Sequence, residues 1–542
     1  MPRSSIHFMP RMFTLWCRSR PLWLGLCLAL LGWQAGWAQS APISSSSNES
    51  EAAQAYRQGM TLVKAGRIAE AIPALRSALQ ADPQNPVILN ALGAACSMKS
   101  DFEQAENYLL KALQADPGFL PARKNLAISY FNSGKYDLAI TQFEALAQAP
   151  GNSRAVAFLF LGIIAEKQGN FSKSASLLEE PGALVEQYPQ ALLSLAHSLM
   201  EVDQGQKADA ALQKLDTMAG VTAAEYFRAG LLYSQQQQYP RALAELEMAA
   251  KADSSLPGLA YQRAVVLDRL GRSREALQVL KDLTSVKPDG DSLNLMASLA
   301  RKTGDLNLAI QSLRRAAALE PGQEVNYLDF STLCMDYENY PLALEAADIG
   351  LAHVPGSYRL QVQKAAILEK LGRFGEAEKL AQRASKLQED NSVALLTLGI
   401  IQTHAGELQG AINTLSSAIK RFPSHYQMYY YLGIALELTL KEDARAAEVF
   451  REAIRLNPSF ADSYYHLAKL YSEKDPKFAE HNLLSCLRLD PHHLSAEYSL
   501  GRLYLKTGRR IEGRKLIAAF ERQQQAEKLK AQQKPSLELA QR

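Results

Sequence analysis

From residue 52 onward, apolar, small and polar positions recur along the chain with a fixed period of 34 residues. Counting from Ala52, Gly59 is the eighth residue, Gly66 the fifteenth, Ala71 the twentieth, Leu75 the twenty-fourth, Ala78 the twenty-seventh and Pro83 the thirty-second. Gly93, Ala105, Leu109, Ala112 and Pro117 stand at matching offsets of a unit that begins at 86. Gly399, Gly406, Ala411, Leu415, Ala418 and Pro423 fill all six positions of a unit that begins at 392. Units start near 52, 86, 120, 155, 189, 223, 257, 290, 324, 358, 392, 426, 461 and 494. Each unit reads as two helices. The fifteenth position is a tight turn where glycine takes a positive φ without steric cost. Two residues later an aromatic opens the second helix, as at Phe102, Tyr136, Phe171, Tyr239, Tyr340 and Phe374. Asp82-Pro83, Asp116-Pro117 and Asp490-Pro491 end one unit and open the next, because proline stops the outgoing helix and aspartate favours the turn.

In period and in the residues at these offsets the chain resembles the tetratricopeptide-repeat (TPR) family. The resemblance implies an all-α fold, a right-handed superhelical α-solenoid of about fourteen TPR helical hairpins over residues 52–523. Neither helix pair buries its own apolar face alone, so each stacks on its neighbours. The eighth and twentieth positions are expected where the two helices cross most closely, which requires Gly, Ala or Ser. Gly162, Ala196, Gly230, Ala264, Ala297, Ser331 and Ala365 comply at the eighth. Departures are local. Pro181-Gly182 cuts short the second helix of the unit from 155, Lys441-Glu442-Asp443 carries one extra residue, and Pro73 is expected to kink its helix. Residues 524–542 read as a polar C-terminal tail.

The first 38 residues read as an export signal. Arg3, Arg11, Arg18 and Arg20 precede an apolar run from Pro21 to Leu31, and Gly36 and Ala38 supply small residues for cleavage. Residues 39–51 read as a Ser-rich linker. The expected location is periplasmic or secreted, with membrane attachment only where the leader stays uncleaved. Loss of the leader changes the charge balance. The chain has 59 basic and 56 acidic residues, net +3, and without the four arginines it has 55 and 56, net −1. No basic excess remains to neutralise phosphates, so no nucleic-acid partner is expected. Cys96, Cys334 and Cys486 remain outside the leader, far apart and odd in number, and read as core filler rather than a disulfide framework.

Signatures of catalysis are missing. The sequence has no P-loop, G-x-G-x-x-G, G-x-S-x-G or H-E-x-x-H. Histidines are scattered, and the adjacent His492 and His493 read as solvated turn residues. The expectation is therefore no enzyme, no catalytic residues, no cofactor, no metal site and no small-molecule substrate. Relatives that glycosylate Ser and Thr line their solenoid with asparagines at the sixth position. Arg57, Ala91, Asn125, Phe160, Ser194, Arg228 and Gln262 stand there instead. Lys124 and Asn125 alone do not complete the carboxylate clamp of chaperone-binding relatives.

The resemblance further implies that positions two, five, nine and twelve of each first helix line a concave surface. The fifth and ninth are mostly apolar, with aromatic islands. In the last three units Tyr430, Tyr465 and Tyr498 form an expected ladder flanked by Ile434, Lys469 and Arg502, and these six are the candidate peptide-binding residues. Tyrosine and arginine combine contact area with hydrogen bonding. The expected occupant is an extended or helical peptide bearing an acidic or C-terminal carboxylate group. The expected role is a scaffold that binds other proteins in the cell envelope. Alternatives are an assembly factor for outer-membrane, pilus or polysaccharide-export machinery, or the substrate-presenting arm of a separately encoded transferase or protease.

Overall fold

The computed structural model describes residues 47–388, 391–439 and 442–533. The expected leader lies outside them, as does most of the linker. Among the described residues there are twenty-eight α-helices, one 3-10 helix and no strand. First helices begin where the period places them, at Pro86, Pro189, Ala223, Glu324, Tyr358, Ser392, Tyr426, Ala461 and Leu494. The six aromatics expected to open second helices are each the first residue of one.

The helices form two compact units, one ending at Arg272 and the other beginning at Ser273. The first holds six helix pairs from Ser47 to Ala252, then the helix Leu259–Arg269. The second holds the helix Ser273–Val286, then seven pairs from Gly290 to Gln533. Within each unit nearly all successive helices pack on one another, and first helices of neighbouring pairs also touch, as Ser392–His404 does with Tyr426–Leu438. Burial is thus supplied mainly by sequence neighbours, which is the mechanical basis of a repeat array.

The small eighth position has a definite opponent. A Cβ on Gly93 would lie 2.5 Å from Leu109 Cγ and 3.2 Å from the Ala105 carbonyl oxygen. Gly162 faces Leu178, Gly230 faces Leu246 and Gly399 faces Leu415 in the same way, all within 2.7 Å. The tightest side-chain contact at the crossing is therefore with the twenty-fourth position rather than the twentieth. The twentieth contributes its carbonyl. Leu75, Leu109 and Leu415 are fully buried there. In the last pair Gly501 and Gly513 meet backbone to backbone, with a Gly513 Cβ placed 2.8 Å from the Gly501 oxygen.

Among the described residues the fifteenth position is left-handed in every unit but the one from 461, where Asp475 has φ −144° and caps the next helix. Gly66, Gly134, Gly169, Gly271, Gly304, Gly372, Gly406 and Gly508 have φ between 73° and 90°. The only described non-glycine residues with positive φ are Ser100, Asp203, Gln237 and Glu338, and all four sit at this offset. Geometry of the helix pair imposes the turn, and these side chains carry its steric cost. Replacing Gln237 or Glu338 by Gly is expected to raise stability by about 1 kcal/mol each, read as a higher urea midpoint. No increase would mean that the turn relaxes locally at no cost.

Several boundaries differ from expectation. The first helix starts at Ser47, inside the stretch read as a linker, where Ser and Asn suit a helix start and Glu a first turn. The last helix, Arg510–Gln533, runs ten residues into the stretch read as a tail, because Leu516, Ile517 and Phe520 give it a half-buried face and neither Gly nor Pro occurs from Glu521 to Gln533. Pro73, expected to kink its helix, lies inside Ile68–Ala81 and does not end it. The shortened helix Phe171–Glu179 is followed by the 3-10 helix Gly182–Gln187, as Pro181-Gly182 requires. The extra residue near 441 falls partly outside the described residues. Cys96, Cys334 and Cys486 are free and buried. No described helix is long and apolar enough to cross a membrane.

Candidate protein-binding surface

The six candidate residues lie on three successive first helices, Tyr426–Leu438, Ala461–Tyr471 and Leu494–Lys506. Each helix buries one stripe, Leu432 and Ala435, then Leu467 and Ala468, then Leu500 and Leu503. The fifth and ninth positions are left on the flank of that stripe. Tyr430, Ile434 and Tyr465 are half-buried, Lys469 and Arg502 are exposed, and Tyr498 is 38% exposed.

The tyrosines do not stack directly on one another. Tyr430 packs edge-on against Phe460 at 4.9 Å and against His466 at 5.7 Å. Tyr465 lies 5.0 Å from both His466 and His493. Tyr498 sits 5.0 Å from Phe520 of the last helix, with the Arg502 guanidinium 6.0 Å from its ring centre. One imidazole, His466, therefore bridges the rings of Tyr430 and Tyr465, while Tyr498 packs on the last helix.

The two cations are not equivalent. Lys469 Nζ is 2.6 Å from Glu437 Oε1, and Glu437 also accepts a hydrogen bond from His466 Nδ1 at 2.7 Å. Burial works against the Glu437 carboxylate, but its bonds to His466 and Lys469 hold it below the usual range. The bond to Glu437 holds Lys469 above the usual lysine range. Arg502 has no carboxylate partner among the described residues. Lys506 and Arg509 nearby are paired with Glu473 and Glu480.

His493 is not a solvated turn residue. Its Nε2 is 3.0 Å from Asp462 Oδ1, and its Nδ1 accepts the Ala496 N–H at 3.0 Å, capping the helix Leu494–Lys506. Asp462 raises the proton affinity of this imidazole. The cap opposes it, since a proton on Nδ1 would face the Ala496 N–H. His492 remains exposed. Glu437 and Asp462 stand at positions twelve and two, which the repeat register groups with five and nine.

The same register recurs with other residues. Glu437, Glu369 and Glu166 all stand at the twelfth position, and each bonds an imidazole of the next pair: His466, His404 at 2.8 Å and His197 at 2.7 Å. Around Glu166 the bridge extends over three pairs, since Arg228 also donates to it at 2.7 Å and Ser194 at 3.3 Å. Glu166, His197 and Arg228 are nearly buried, with side-chain exposures of 9%, 10% and 12%. Burial raises the Glu166 carboxyl, but Arg228 and His197 outweigh it and hold the group at about 2. Through the middle of this first unit positions five and nine are not a free surface. Leu159, Ile128 and Ile163 are fully buried, and Leu193 and Phe227 nearly so. Among the described residues no group of three or more His, Cys, Asp or Glu is placed to hold a metal.

Comparison with known proteins agrees with the repeat register. A model described as "Tetratricopeptide repeat" matches residues 56–118, 261–324 and 396–461, and a second of the same description matches 98–159. A TPR repeat-containing protein of Pseudomonas aeruginosa is 28% identical over 37% of this chain and 35% of its own length. The human protein O-mannosyl-transferase TMTC3 is 21% identical over 77% of this chain and 40% of its own length. The chain thus spans well under half of these two relatives. Among solved structures, yeast Tom70 is 14% identical with a TM-score of 0.37, over 89% of this chain and 97% of that one.

Proposed function

Because the chain is a tetratricopeptide-repeat protein, we propose that it works as a non-catalytic scaffold that binds partner proteins in the cell envelope. Repeat arrays offer extended surfaces rather than enclosed pockets, and their usual ligands are other proteins. The binding surface is the inner flank of the second unit, with Tyr430, Ile434, Tyr465, Lys469, Tyr498 and Arg502 as its contact residues. One observation carries this reading. Fifth and ninth positions that are buried through the middle of the first unit, at Ile128, Leu159, Ile163, Leu193 and Phe227, are half-exposed here as an apolar and aromatic row, from Val362 and Leu396 through Ile400 and Ile434 to Tyr465. Such a row, bordered by an unpaired guanidinium, has the composition of an interface core with a polar rim. The envelope location rests on the basic, apolar and small-residue order of residues 1–38. A role in assembling outer-membrane, pilus or polysaccharide-export machinery would be one use of such a scaffold.

The test is site-specific photocrosslinking at position 434 in intact cells, with and without Tyr465→Ala and Lys469→Ala together. Crosslinked partners are expected from the periplasmic fraction, and the double variant is expected to lower their yield about tenfold. An unchanged crosslink pattern would reject the surface. Recovery of the chain from the cytosol alone would reject the location.

A further inference from the structure

Within the proposed surface, the corner around Asp462 carries chemistry that the scaffold itself leaves unused. Asp462 is the second residue of its helix, and its side chain is 45% exposed. His493 bonds only one of its oxygens, and Oδ2 has no partner among the described residues. Aromatic rings stand on both sides. Phe460, two residues earlier, touches Tyr430, and Tyr430 lies 5.0 Å from Tyr431. On the other side His493 touches Tyr465. The hydroxyls of Tyr430, Tyr431 and Tyr465 make no hydrogen bond with any described residue. Burial, with the Asp462 charge behind it, raises both Tyr430 and Tyr431, so that carboxylate lies within electrostatic reach of their hydroxyls. The lysine of the same helix, Lys469, is committed to Glu437.

Free carboxylate oxygen, unbonded phenol oxygens and aromatic faces together describe a receptor for a flat cation with several N–H donors. A guanidinium meets all three demands, since its fork bonds more than one oxygen while its plane lies on a ring. An ammonium offers no plane, and an anion would meet Asp462. We propose that this corner binds an arginine side chain of the partner segment held on the surface described above, an inference that rests on the protein-binding reading. The partner is thereby a segment with apolar residues and an arginine, and Arg502 one pair further on is left for an acidic residue.

The experiment uses the full chain and three fluorescein-labelled peptides in which leucine alternates with arginine, with citrulline or with glutamate. Binding is followed by anisotropy at physiological salt. The arginine peptide is expected to bind about tenfold more tightly than its neutral citrulline counterpart. Asp462→Asn, which keeps an oxygen for His493, is expected to abolish that preference, and Tyr465→Phe to reduce it. If Asp462→Asn does not fold, Tyr465→Phe decides alone, an unchanged preference counting against the proposal. Equal binding of the citrulline or glutamate peptide, or a preference that survives Asp462→Asn, would overturn the arginine site and leave the surface standing. Failure of all three peptides to bind would overturn the surface, and the arginine site with it.

Discussion

Gly93→Val is expected to destabilise its helix pair by roughly 3 kcal/mol or more, the upper end of overpacking costs. The first added carbon would stand 2.5 Å from Leu109 Cγ and 2.9 Å from its Cδ2. Leu109 is fully buried and cannot swing aside, and the Ala105 carbonyl oxygen at 3.2 Å belongs to a helix backbone. Valine's better helix propensity returns only a few tenths of a kcal/mol. Gly134→Ala makes the instructive contrast. Nothing lies within 4 Å of that Cβ, yet φ is +77°, so the cost is backbone strain of about 1 kcal/mol. Long arrays do not unfold in one step. Hydrogen exchange resolved by segment is therefore the suitable measurement, with protection falling first in 86–115 for Gly93→Val. Equal protection in the two variants would remove the crossing contact as the reason for glycine at the eighth position.

Glu166→Gln is expected to cost about 3 kcal/mol, because it strands Arg228 and His197 in a nearly dry site. Replacing Glu166, His197 and Arg228 together by leucine is expected to cost far less, since desolvation of the ions disappears with them. The sign of the acid dependence follows from the depressed carboxyl. Its folded value is about 2 against an ordinary 4.5, so its contribution is complete above 4.5 and fades as pH falls toward 2. Wild type should lose protection across 152–235 over that range, and Glu166→Gln should not show this part of the loss. Identical acid profiles would show that the three charges do not act as a unit.

Helix placement was legible in the sequence because it depends on local chemistry. Turn glycines, opening aromatics and Asp-Pro closures each act within a few residues, and a shared period aligns them. Even the left-handed turns at Gln237 and Glu338 could be placed by counting, although their residue types argue against positive φ. The eighth position does meet the backbone of the twentieth, as at Gly93, Gly230 and Gly501, but its tightest side-chain neighbour, the leucine at the twenty-fourth, was not anticipated, since the angle at which two helices meet decides which side chain reaches the crossing. The candidate surface was legible only as a row of side chains. Lys469 stands where it was expected, but its charge is spent on Glu437, and His493 is withdrawn from solvent by Asp462. Both partners come from neighbouring pairs, 31 or 32 residues away in sequence, and such contacts follow from how pairs stack rather than from the pattern within one.

Dependence on adjacent pairs also bears on how such a sequence changes over generations. Gain or loss of one whole period re-creates a junction of the kind already present, so copy number can drift while the fold survives. A single inserted residue is a different event, because it rotates everything after it by about 100° on a helix. It must be absorbed before the next helix begins, and the extra residue of this chain falls between the helix that ends at Leu438 and the one that begins at Asp443. Insertions in relatives should therefore concentrate at turns, or come in complete multiples of the period.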